Sequence, residues 1–92
     1  MAEVLDAVMY HSKNLLWLDL SYNYLTTIDE DILEFPELKT LYLHGNYIQN
    51  LDQTKKLQNF EDLQSLTLYS NPIEQIKGYR MYVLGVMYAN DN

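Results

Sequence analysis

The amino-acid sequence predicts an α/β fold: a right-handed solenoid with short parallel strands on a concave face, short helices or turns on a convex face, and a helical cap at each end. Three observations lead there. A run of aliphatic residues closing on an asparagine occurs three times in the chain. Within each copy the leucines alternate with other residues, which is the pattern of a strand with one buried face. Successive parallel strands need a return connection along the outside, and the segments between copies supply one.

The first copy holds Leu15, Leu18, Leu20, Asn23 and Leu25; the second Leu38, Leu41, Leu43, Asn46 and Ile48; the third Leu63, Leu66, Leu68, Asn71 and Ile73. They start 23 and 25 residues apart. That falls within the period of about 20 to 29 residues that marks leucine-rich repeats. Each copy is followed by one more aliphatic, at Ile28, Leu51 and Ile76. One such unit cannot bury its apolar face alone, but stacked units share a continuous core. Asn23, Asn46 and Asn71 stand where the chain turns out of each strand and leaves backbone groups that the strand ladder cannot reach. An amide offers donor and acceptor together, so these residues are expected to form an internal asparagine ladder bonding the backbone of their own and neighbouring turns.

The elements follow in order along a single domain. Residues 1–14 are expected to form an N-terminal capping helix, because Val4, Leu5, Val8 and Met9 recur at helical spacing. The first repeat spans 15–37. Its return, 29–35, begins with acids that suit a helix N-terminus and ends at Pro36. The second spans 38–62 and returns through 53–60, where Leu57 and Phe60 share one inward face. The third covers 63–77. A C-terminal capping helix, 78–92, carries the stripe Tyr79, Tyr82, Val83, Val86 and Met87.

Composition excludes several functions. Ninety-two residues make one small domain and no large multi-domain enzyme. A net charge of −7 repels phosphate backbones, so direct nucleic-acid binding is not expected. With no Cys there is no disulfide, thiolate nucleophile or cysteine-ligated zinc, which fits a reducing compartment. Glu3 and Asp6 among the first residues argue against a secretory signal. The uncharged stretch 81–90 is about half the ~20 apolar residues of a membrane-spanning helix, so no membrane association is expected.

Asn71, Pro72 and Ile73, leading into Lys77, Gly78, Tyr79 and Arg80, resemble the terminal cap of a class of cytoplasmic leucine-rich-repeat proteins. That class takes in a spliceosomal leucine-rich protein, a nuclear phosphatase regulator and light chain one of outer-arm dynein. The resemblance extends through 18–29 and 41–49 and covers most of the chain, with the pieces Tyr42 to Asn46 and Lys77 to Arg80 more specific than the bare repeat. Members of the class begin with a further repeat and continue past the cap helix into a final strand, so this chain is shorter at both ends. With its ends open, the isolated chain is expected to be marginally stable or to self-associate. The resemblance implies a cytoplasmic, non-enzymatic interaction protein with protein partners in a ciliary or flagellar axoneme, or a larger cytoskeletal, microtubule-associated assembly. It leaves open a regulatory subunit that positions a phosphatase or a dynein motor, and a ribonucleoprotein component.

Residues on the open side of the strands are the ones the core does not need. Across the repeats they fall into the columns Trp17, Thr40, Ser65; Asp19, Tyr42, Thr67; and Ser21, His44, Tyr69, bordered by Tyr22, Tyr24 and Tyr47. Aromatics with a polar tip are favoured anchors of protein interfaces, which makes Trp17, Asp19, Tyr22, Tyr24, Tyr42, His44, Tyr47 and Tyr69 the candidate partner-binding residues. The alternative is that the tyrosines cover sheet backbone without any ligand. His11 and His44 are the only histidines, and no matching ligand set accompanies either, so no metal and no cofactor is predicted. Asp19 and His44 lie on adjacent repeats within reach of one another, a weak dyad with no enclosed pocket to exclude water. The acids Asp29, Glu30, Asp31, Glu34 and Glu37 read as a solvated outer face, with docking to a basic partner the alternative. Lys55, Lys56, Lys77 and Arg80 are too few for a nucleic-acid stripe.

Overall fold

A computed structural model describes residues 14–88. Residues 1–13 of the expected N-terminal cap and residues 89–92 of the C-terminal one lie outside the described residues. Three short strands, β1 (Trp17–Asp19), β2 (Thr40–Tyr42) and β3 (Ser65–Thr67), form one parallel sheet in the order β1-β2-β3. Leu18 pairs with Leu41 and Leu41 with Leu66, so the sheet register is the sequence period itself. Parallel crossovers are right-handed, and the chain winds as a right-handed solenoid.

The aliphatic spine lies behind the sheet. In the middle repeat Leu38, Leu41, Leu43 and Ile48 are completely buried, joined by Leu20, Ile28, Ile32, Phe35, Leu57, Phe60, Leu68 and Ile73. Leu15, Leu18 and Leu25 of the first repeat and Leu63 and Leu66 of the third pack against this core but are only partly buried. The difference has a simple cause: among the described repeats an end layer has a neighbour on one side only. Of the aliphatics that follow each copy, Ile28 is fully buried and Ile76 is 39% exposed.

The returns are 3₁₀ helices, spanning Glu30–Glu34, Leu51–Asn59 and Pro72–Gln75. Side chains three apart eclipse one another in this narrow helix. Leu51, Thr54, Leu57 and Phe60 follow that spacing and all turn inward, with Thr54, Leu57 and Phe60 buried. The second return therefore begins at Leu51 rather than at residue 53. Asp29 and Asn50 cap the first two returns, each side chain accepting a hydrogen bond at 2.9 Å, from the N–H of Asp31 and Asp52 respectively.

The returns are also laced to each other. The N–H of Ile28 donates to Gln53 Oε1 at 3.0 Å, and the Ile28 carbonyl accepts from Lys56 Nζ at 2.8 Å. Lys56 also pairs with Glu30 at 3.0 Å, so this lysine and one of the outer acids are engaged within the fold. Replacing Lys56 by Met keeps the stem but strips the Ile28 carbonyl of its donor. Urea denaturation should show a loss of roughly 1 to 2 kcal/mol, whereas Lys55→Met, whose exposed pair with Asp52 is 3.6 Å long, should stay within about 0.5 kcal/mol.

The chain passes through Gly78, at φ +84°, into the capping helix α1 (Tyr79–Tyr88). Tyr79, Val83 and Met87 pack on the core and Val86 is buried. The Tyr82 hydroxyl donates to Asp52 Oδ1 at 3.0 Å, tying the cap to the second return. Burial, reinforced by Glu74, pushes the Tyr79 hydroxyl above the ordinary tyrosine range and keeps it neutral.

Candidate protein-binding face

The turn out of each strand fixes what the open face presents. Asn46 Oδ1 accepts from the N–H groups of Asn23 and Leu25, both at 3.1 Å, while its Nδ2 donates to Leu20 O at 3.1 Å and Leu43 O at 2.9 Å. Asn71 repeats the arrangement one coil on, accepting from Ile48 N–H and donating to Leu43 O and Leu68 O. Each of these asparagines thus bonds its own turn and the turn before it, and both are buried. Asn23 differs. It is exposed, and its Nδ2 donates within its own turn to Leu20 O and Ser21 O.

Immediately before each asparagine stands a residue in the left-handed region: Tyr22 at φ 56°, Gly45 at 74° and Ser70 at 57°. Only the middle one is a glycine. A Cβ on Gly45 would fall 2.4 Å from Cδ1 of Tyr22, because the Tyr22 ring lies over it. Gly45→Ala should therefore destabilise by about 1 to 2 kcal/mol from backbone strain, with a further contribution from displacing the ring. Combining it with Tyr22→Ala should recover the second part, which a double-mutant cycle of unfolding free energies would register.

Side chains at alternate strand positions project from the open face and meet there. The Trp17 and Tyr42 rings are 5.8 Å apart, edge to face; Tyr42 and His44 are 6.0 Å apart; His44 stacks on Tyr69 at 4.5 Å and takes the edge of Tyr22 at 5.0 Å. This is a continuous aromatic band that runs from β1 across β2 to Tyr69, just past the end of β3. Trp17, Tyr22 and Tyr69 are exposed, while Tyr42 and His44 at its centre are partly covered by their neighbours. Tyr24 and Tyr47, both exposed, stack with each other at 5.9 Å and 4°.

Polar contacts hold the band in place. His44 Nδ1 lies 2.6 Å from Thr67 Oγ1, which also accepts from the Leu43 N–H at 3.2 Å. Sequence reasoning passed over Thr67; its place directly across from Tyr42 was the available signal. Asp19 is occupied by Ser21, whose N–H and hydroxyl donate to Oδ1 at 2.9 and 2.5 Å. These bonds hold the Asp19 carboxyl below the usual carboxylate range, chiefly through the hydroxyl. Asp19 and His44 interact electrostatically, but each is hydrogen-bonded to a different hydroxyl, that of Ser21 and that of Thr67. The described residues hold no group of His, Asp and Glu able to bind a metal ion, and no helix among them is long and apolar enough to cross a membrane. At Tyr69 the band borders an open notch between β3 and α1, whose lining includes Leu66, Leu68, Tyr79 and Val83 together with the charged Glu74 and Arg80.

The comparisons with known proteins agree with this architecture. Leucine-rich repeat-containing protein 51 of Rattus norvegicus is 51% identical over 82 residues, covering 89% of this chain and 43% of the relative. Acidic leucine-rich nuclear phosphoprotein 32 family member A of Drosophila melanogaster is 36% identical over 67 residues, covering 73% of this chain and 26% of the relative. In the crystal structure of the Drosophila melanogaster SNF/U2A′ complex, one chain superimposes with a TM-score of 0.73 at 30% identity, covering 82% of this chain and 44% of that one. The chain thus spans less than half the length of the proteins it matches. The leucine-rich-repeat profile matches residues 4–89, and with the stacked leucine spine and the parallel strands it places the chain in the leucine-rich repeat family, a fold of protein-interaction modules.

Proposed function

We infer that this chain is a non-enzymatic interaction module that binds a protein partner through the open face of its strands, as a structural component of a ciliary or axonemal microtubule assembly in the cytoplasm. The observation that carries the binding reading is the aromatic band. Trp17, Tyr22 and Tyr69 keep large apolar area in contact with water, although the core behind the sheet is complete without them. Contiguous exposed aromatics of this kind mark interaction surfaces. The ciliary setting is supported by the resemblance carried by the Tyr42 to Asn46 and Lys77 to Arg80 segments.

Replacing Trp17 and Tyr42 together by Ala tests the reading. The unfolding midpoint should change little, because neither ring belongs to the spine. Affinity for a native partner should fall by a hundredfold or more, the loss of about 2 kcal/mol or more expected for each interface anchor. Unchanged capture of the same partners would refute it.

A second reading, membership of a ribonucleoprotein, takes its support from the spliceosomal resemblance together with the likeness to a chain of the SNF/U2A′ complex. The net charge of −7 then assigns the RNA contact to a partner. Nuclear location with RNA in the purified complex would support this reading over the axonemal one.

A further inference from the structure

The open face carries an exposed carboxylate that pairs with no lysine or arginine among the described residues, although the His44 ring on the same face acts on it electrostatically. Asp19 is exposed there, opposite Tyr42 in the strand register and two residues along β1 from Trp17. Both bonds from Ser21 fall on Oδ1, which leaves the second oxygen its full acceptor capacity. Among the described residues, the cations are elsewhere: Lys39 precedes β2, Lys55 and Lys56 lie in the second return, and Lys77 and Arg80 flank the start of α1. The other polar groups of the face are the neutral Thr40, Ser65 and Thr67 and the ring of His44, whose Nδ1 is engaged with the Thr67 hydroxyl. Around this fixed negative charge stand aromatic rings whose π faces attract cations. A guanidinium can lie flat on such a ring and fork its N–H donors to a carboxylate, a combination that a compact ammonium does not match.

We propose that Asp19, Trp17 and Tyr42 form a receptor for an arginine side chain presented by the partner protein, with the guanidinium stacked on a ring and hydrogen-bonded to the Asp19 carboxylate. The inference rests on the reading of the open face as the binding surface and names the chemistry that it recognises.

Trp17 is the only tryptophan, so its fluorescence reports directly on this site. The probes are three short peptides of equal length in which Arg, Lys or Glu alternates with Gly and Ser, titrated into the full chain. The Arg peptide should change Trp17 emission saturably, with an affinity that falls as salt rises; the Glu peptide should not. Asp19→Asn keeps an acceptor for Ser21 and should retain the fold by circular dichroism while weakening the Arg peptide by about tenfold. No saturable response to the Arg peptide, equal binding by Asp19→Asn, or equal binding of the Lys peptide would each overturn the arginine receptor. If a native partner is lost on Trp17→Ala with Tyr42→Ala but is held equally well by Asp19→Asn, the arginine receptor fails while the binding face stands. If both variants hold the partner, the face itself is wrong.

Discussion

Asn46→Leu is expected to lower the unfolding free energy by about 3 kcal/mol, while Asn23→Leu should cost about 1 kcal/mol or less. The two residues occupy the same repeat position, yet their surroundings differ. The Asn46 amide makes four bonds of 3.1 Å or less with backbone groups of two coils. Leucine has a similar volume and no hydrogen-bonding atom, so the N–H groups of Asn23 and Leu25 lose their acceptor beside the core, while the carbonyls of Leu20 and Leu43 keep only the amides of Asn23 and Asn71. Leaving buried groups unpaired costs more than the bond itself contributes, because water does not replace the partner. Asn23 is exposed, and water can satisfy the carbonyls that it serves. Guanidinium denaturation of the two variants beside the parent chain measures the contrast. Equal costs would show that the ladder does not couple the coils.

The second large effect is in the spine. Leu41→Ala should destabilise by about 3 to 4 kcal/mol, and Leu18→Ala by about half as much. Leu41 is fully buried and lies between Leu18 and Leu66 in the sheet, so its removal opens a cavity walled by both neighbouring layers. Leu18 is only partly buried, and its site can collapse or admit water. The same denaturation series reads both variants. A Leu18→Ala cost equal to that of Leu41→Ala would mean that the first layer is as enclosed as the middle one.

Much of this architecture was legible because a short period leaves little freedom. Leu18, Leu41 and Leu66 recur in one register, and the strands pair in that register. The degree of burial was not legible, since it depends on whether a coil has a neighbour on both sides; Asn23 and Asn46 look alike in sequence and differ in exposure. The 3₁₀ form of the second return was present in the spacing of Leu51, Thr54, Leu57 and Phe60, but Thr54 does not announce itself as a core residue. The left-handed turn was marked by Gly45 and hidden at Tyr22 and Ser70, whose side chains ordinarily avoid that region. On the open face, alternation placed Trp17, Asp19, Tyr42, His44 and Tyr69 on one side. It did not show that the rings touch in a chain, or that Thr67 and Ser21 would engage His44 and Asp19. Those contacts depend on side-chain rotamers across strands, which no single-strand pattern specifies. The tie from Gln53 and Lys56 to Ile28 crosses a full repeat and was invisible for the same reason.

The division of labour between a buried aliphatic spine and an open aromatic face is tested most directly by site-specific photo-cross-linking in the native complex. A benzoylphenylalanine replaces Tyr42 in one variant and Glu34, an exposed residue of the first return, in another. The account predicts that position 42 cross-links to a discrete partner protein and position 34 does not. Cross-links from position 34 with none from position 42 would show that the partner sits on the return helices, and the aromatic band would lose its assigned role.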